Sequence, residues 1–178
     1  MNLDEIISLI TASYGGDLSN PHFYFVDPAL ERRPYHEIVN RIESIGDVRI
    51  SEYSDANTYA SFAYVIENCG RSWALELSML GPIGVFARIG EHGWDRLLRP
   101  GEGDLLPFEC EVFGLLVEQK ITFPVRAILE HPLDMILDYT DPGNVRVYHA
   151  LFSDEDFLPW EFSPLYPELS GRDRSWSE

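Results

Sequence analysis

Thr58–Gly90, TYASFAYVIENCGRSWALELSMLGPIGVFARIG, is the stretch that decides the fold. Thr58–Glu67 is a β-branched and aromatic run, and Asn68-Cys69-Gly70-Arg71 reads as a turn. Ser72–Leu80 follows with Trp73, Leu75 and Leu77 on one face. Gly81-Pro82 then turns the chain again, and Ile83–Ile89 makes a further strand. Just upstream, Val48 and Ile50 alternate with Arg49 and Ser51. Short strands joined by tight turns predict an antiparallel meander of four to five strands.

Helical periodicity flanks this sheet. Leu3, Ile6, Ile7 and Ile10 fall on one face of a helix over 3–13, with Asn2 and Glu5 spaced as a capping box and Gly15-Gly16 as the stop. Pro34 opens a second helix, with Tyr35, Ile38, Ile42 and Ile45 on its apolar face and Gly46 ending it. Between the two, Pro21 and Pro28 argue against a long helix, and residues 22–26 read as a short strand or an aromatic loop. Residues 90–104 read as a glycine-rich connection. Asp104 is then a candidate cap for a third helix carrying Phe108, Val112, Leu115 and Leu116. Residues 121–130 fit either strand or helix, Asp141–Asn144 is a turn, and Val145–Phe152 reads as a last strand. The expectation is an α+β domain over 1–152, with the meander packed against three helices. From Ser153 the composition turns acidic, aromatic and proline-rich, so 153–178 reads as an extended arm or tail.

A chain of 178 residues fits one domain and can bury roughly 70% of its unfolded surface without disulfides. Its charge is lopsided, with 30 acids against 13 bases and a net −17. The excess runs through both halves: 12 acids and 6 bases up to residue 89, 18 and 7 thereafter. Such a chain repels phosphate, which argues against nucleic acid or anionic membrane as partner and favours a basic protein. Lys120 is the one lysine, and every other base is arginine. Two cysteines, Cys69 and Cys110, do not make a disulfide framework. The acidic N-terminus is unlike a signal peptide, and no apolar run reaches membrane-spanning length. A cytoplasmic setting is expected.

Motifs for chemistry are sparse. Gly101-Glu102-Gly103 begins a phosphate loop but ends on Leu106 and carries Glu102 and Asp104, which would repel phosphate; GxxxxGK[ST] is missing. The histidines at 22, 36, 92, 131 and 149 form neither HExxH nor HxH, CxxC does not occur, and Asp154-Glu155-Asp156 lacks the glycine and glutamate of a calcium loop. Cys110 sits between Glu109 and Glu111, which disfavour its thiolate, and GxSxG does not occur. His149 shares its predicted face with Val145, Val147 and Leu151 and reads as a hydrogen-bonded core histidine. Glu91, His92 and Asp95 gather oxygen and nitrogen groups after the meander. They are the alternative site, that of an enzyme with a motif-free site, such as a hydrolase, acting through the 90–104 loop. No catalytic residue, metal ligand or cofactor is assigned.

The C-terminal part crowds aromatics among acids. Asp154, Glu155, Asp156, Trp160 and Glu161 are the candidates for gripping a basic, partly apolar partner. In size, charge, α+β order and lack of a catalytic signature, the chain resembles the immunity proteins of bacterial toxin systems. The run Ser72–Trp94, SWALELSMLGPIGVFARIGEHGW, and the helix-to-ITFP passage Phe113–Pro124 have the look of such domains. The resemblance implies a cytoplasmic inhibitor binding a basic toxin domain directly. It assigns no subfamily and transfers no functional residue.

Overall fold

In the computed structural model, which describes residues 1–166, eleven elements follow one another. They are α1 (Leu3–Ser13), α2 (Val26–Arg32), α3 (His36–Glu43), β1 (Arg49–Glu52), β2 (Ser61–Asn68), β3 (Arg71–Ser78), β4 (Gly84–Gly90), β5 (Gly93–Leu98), α4 (Pro107–Glu118), α5 (Arg126–Leu129) and α6 (Val147–Leu151). The strands form one antiparallel sheet in chain order, the expected meander. The β2–β3 hairpin turns on two residues, Cys69-Gly70, with φ of 50° and 73°. Two successive positive φ values are the geometry that lets a two-residue hairpin follow the strand twist.

Both faces of this sheet are apolar, and they are unequal. One presents Phe62, Tyr64, Ile66, Trp73, Leu75, Leu77 and Phe86 to α2, α3 and α4. The other presents small residues in β3 and β4, Ala74, Val85 and Ala87, with Trp94 of β5 at its edge, and receives bulk from the opposite layer: Tyr14 after α1, Tyr148 and Leu151 in α6, then Phe152 and Trp160. At the centre of the sheet the large side chains therefore come from the strands on one side and from the covering layer on the other, which keeps each interface filled. The result is three layers, with three helices on each side where three in all were expected.

Helix α1 is capped as the sequence indicates. The Asn2 side chain accepts from the Glu5 amide at 3.0 Å, and Glu5 accepts from the Asn2 amide at 2.8 Å. Helix α4 is held differently. Asp104 does not cap it but pairs with Arg96, and the helix starts at Pro107. Glu109, fully buried, accepts from the Leu106 amide (2.8 Å), Trp73 Nε1 (2.8 Å) and Arg88 (2.6 and 2.7 Å). Burial pushes its carboxyl up, but those bonds together outweigh burial and hold its pKa below the ordinary value. One carboxylate thus joins the N-terminus of α4 to β3 and β4.

Two expectations change. Residues 93–98 are strand β5, not a connection. Val145–Phe152 is not a strand but encloses the short helix α6, whose residues are all buried, so no face contrast marks its period. Residues 22–25 are a loop, one of the two forms expected, and the short helix α2 that follows has Pro28 in its first turn, where a missing amide costs nothing. Of the arm or tail expected from 153, the described part lies on the domain: Leu158 and Trp160 belong to the core and the 153–163 segment covers the sheet, while Pro167–Glu178 lies outside the described residues.

Substituting Ile42, fully buried on α3, by Asp should abolish or severely lower the thermal transition. Glu109→Ala should cost about 2–3 kcal/mol, because it leaves the buried Trp73 indole N–H without its acceptor and the half-buried Arg88 without its partner. Glu118→Ala, which removes an exposed partner of Arg41, should cost under about 1 kcal/mol. Denaturant titrations that rank Glu109 and Glu118 alike would show that Glu109 does not tie α4 to the sheet.

Candidate functional site

The chain leaving α6 runs beside the entry to β2. The Phe152 carbonyl accepts from the Ala60 amide (2.9 Å) and the Ser61 hydroxyl (3.1 Å), Ser153 bridges Tyr59, and the Asp154 amide donates to the Thr58 carbonyl (2.7 Å). This pairing sets Asp154, Glu155 and Asp156 against the 134–144 loop. Asp154 is buried. Its Oδ2 accepts from the amides of Asp138 (2.8 Å) and Tyr139 (3.1 Å), and its Oδ1 from the Thr140 hydroxyl (2.7 Å). Asp156 Oδ1 accepts from the Asp141 amide (2.9 Å) and the Asn144 side chain (3.1 Å). Two acids are thereby spent on holding a loop in shape, satisfying amides that no regular element takes up.

What that loop presents outward is acidic and apolar together. Tyr139 is 59% exposed and Ile136 51%, and Asp134, Asp138 and Asp141 are exposed beside them. Glu155 is exposed as well, and its Oε1 accepts from Tyr59 at 3.1 Å. The one base between 134 and 156 is Arg146, and it donates to the carbonyls of Gly143 and Val145. A cleft of about 70 Å³ opens next to the loop, lined by Tyr14, Phe23, Tyr59, Leu137, Asp138 and Asp154 among others.

Beneath this face lies a second carboxylate. Glu76 in β3 is 2% exposed; Tyr148 donates to its Oε2 at 2.9 Å and Tyr53 to its Oε1 at 3.3 Å. Burial pushes its carboxyl up to about 8, with Glu155 adding to the shift and the two tyrosine bonds opposing it. The Tyr148 hydroxyl is driven well above its ordinary value by the same burial and by Glu76.

The residues singled out from sequence are therefore divided. Glu155 is on the surface and Asp156 is half-buried, but Asp154, Trp160 and Glu161 are not surface groups. Trp160, expected as an anchor for a partner, is fully buried. It stacks edge-on with Tyr148 (5.2 Å between centroids), lies 6.1 Å from Trp94, and donates from Nε1 to Glu130 (2.8 Å). The carbonyl of Pro159 next to it accepts from the Trp94 amide (2.9 Å), closing the outer edge of β5. Gly93, at φ 113°, leaves no room for a side chain against that carbonyl. The alternative site is a hairpin tip: Glu91 and His92 form the exposed β4–β5 turn, and Asp95 packs on Gly90. Among the described residues no three His, Cys, Asp or Glu side chains gather as a metal site needs. His149 is a core residue whose Nδ1 accepts from the Arg146 amide at 2.8 Å, which puts the ring proton of the neutral form on Nε2. No helix among the described residues is long and apolar enough to cross a membrane. Sequence reading missed Ile136, Tyr139 and Glu76. The density of acids at 134–141 was a usable signal for the first two.

Compared with family models, with curated proteins and with solved structures, the chain matches none. The roles of its residues are therefore read from their own geometry, and two substitutions test them. Trp160→Ala should cost about 3–5 kcal/mol as a core truncation and lower the melting temperature markedly. Asp154→Ala should raise amide exchange at 138–139 ahead of the sheet, since two amides and a hydroxyl lose their acceptor. An unchanged melting temperature for the first, or unchanged exchange for the second, would contradict the assignment.

Proposed function

We propose that this chain is a non-enzymatic binding protein that captures a basic protein partner, and that it acts as a cytoplasmic immunity protein neutralising a toxin domain. The observation that carries the reading is the use of Asp154 and Asp156 to hold out a loop tipped by Tyr139 and Ile136 and flanked by Asp138, Asp141 and Glu155. An exposed tyrosine and isoleucine supply contact area at low entropic cost. The carboxylates around them supply steering and pairing to arginine or lysine. The net charge of −17 acts in the same direction at longer range, and the general resemblance to toxin-system immunity proteins supports the identity of the partner class.

The test is capture of a basic protein from the native host, followed by kinetics on defined variants. Joint neutralisation of Asp138, Asp141 and Glu155 to their amides should lower the association rate several-fold and flatten its salt dependence. Tyr139→Ala should instead speed dissociation, with a loss of affinity of at least about tenfold. Glu111→Gln, an exposed acid on α4, should leave both rates unchanged. Unaltered kinetics in the first two variants at every salt concentration would refute the reading.

A further inference from the structure

We propose that Glu76, Tyr53 and Tyr148 form a proton-operated latch that holds the 53–60 segment, and with it the Glu155 side of the acidic face, against the sheet. Glu76 sits in mid-sheet between Ala63 of β2 and Val85 of β4, neither of which offers a polar side chain. The ionisable groups acting on it are Tyr148 from α6, Tyr53 from the β1–β2 connection, and Glu155 from the strip after α6; Tyr59, from the same connection as Tyr53, packs behind it. All are acidic or neutral, and no ion pair found among the described residues includes Glu76. A neutral carboxyl is satisfied there by accepting from the Tyr148 hydroxyl and giving its own proton to the Tyr53 oxygen, whose hydroxyl then turns to solvent. An ionised one accepts from both but keeps its charge 2% exposed to solvent and unpaired with any cation among the described residues, which favours whatever motion hydrates it.

The geometry indicates which part yields. Tyr148 is 2% exposed and packed among Trp94, Phe152 and Trp160, and its bond to Glu76 is the short one. Tyr53 is 37% exposed and its bond is long, at 3.3 Å. Its ring meets Tyr59 edge-on at 5.8 Å, and Tyr59 in turn holds Glu155. Swinging Tyr53 outward hydrates Glu76 and disturbs Tyr59 and Glu155 in one movement.

The sign of the effect follows from the carboxyl being raised from an ordinary 4.5 to about 8 in the closed form. The closed form binds the proton more tightly than the open one. Opening therefore becomes easier by about tenfold per pH unit between those values and levels off above the upper one. A consequence for partner capture rests on the binding function proposed above; the latch itself does not.

The test is amide exchange on the full chain from pH 5.5 to 9, corrected for intrinsic exchange, at Tyr53, Tyr59 and Ala60, whose amides donate to Ala63, Asp55 and Phe152. In the wild type their opening constants should climb about tenfold per unit and level near pH 8. Glu76→Gln should remove the slope. Tyr53→Phe, which deletes a bond that helps the anion, should move the levelling point to higher pH, a shift that a purely structural tyrosine would not produce. Parallel profiles for wild type and Glu76→Gln would overturn the proton linkage. Opening constants at Tyr53, Tyr59 and Ala60 no larger than those at Leu75 and Phe86 across the whole range would overturn the local latch in favour of global unfolding, which carries the same pH slope. No partner is involved, so failure here leaves the binding proposal standing, and failure of that proposal leaves the latch.

Discussion

A sheet whose two faces are both apolar has to be covered twice, and the rest of the structure follows from that requirement. In β3, residues 73–78 are buried without a break, so neither face is left for solvent. Helices α2, α3 and α4 meet the bulky face. Away from Trp94 at its edge, the opposite face carries alanine, serine and valine, too small to fill a layer alone, and its cover has to bring the aromatic volume. Tyr14, Tyr148, Phe152 and Trp160 do so, and one of them lies well past the last regular element. The segment after α6 is therefore part of the second layer.

That cover also generates the surface with functional character. A segment that meets a sheet at only a few backbone bonds leaves its other neighbours' backbone groups to be satisfied by side chains. Here carboxylates do the work: Asp154 and Asp156 for the 138–144 loop, and Glu130 for the Trp160 indole. Further acids of the same stretch, spared this duty, face outward beside Tyr139. The same layering traps Glu76 on the small-residue face, where the incoming Tyr148 hydroxyl needs an acceptor.

How much of this was legible depended on whether neighbours in sequence decide the outcome. The Asn2–Glu5 box of α1 and the Cys69-Gly70 hairpin are local, and both read correctly. Strand β5 was hidden because Gly90, Glu91, His92 and Gly93 have the composition of a linker, although two glycines at a hairpin end serve a close approach. Helix α6 lacked a polar face and so lacked a period. The surface was the hardest part. An acid–aromatic stretch announces a concentration of carboxylates but not which of them are consumed by distant amides, so Asp154 and Trp160 read as exposed and Tyr139 passed unnoticed. Glu76 left a trace: it is the one charge inside Trp73–Leu80, on the face shared with Ala74 and Ser78.

The claim on which the account stands is that the 153–166 segment completes the second layer. Thermal unfolding of two chains, one ending at Phe152 and one at Tyr166, measures it directly. The account predicts a cooperative transition for the longer chain and none, or one lowered by tens of degrees, for the shorter, which leaves Ala74, Val85 and Ala87 without Trp160 above them. Equal cooperativity and equal melting temperatures for the two would contradict it.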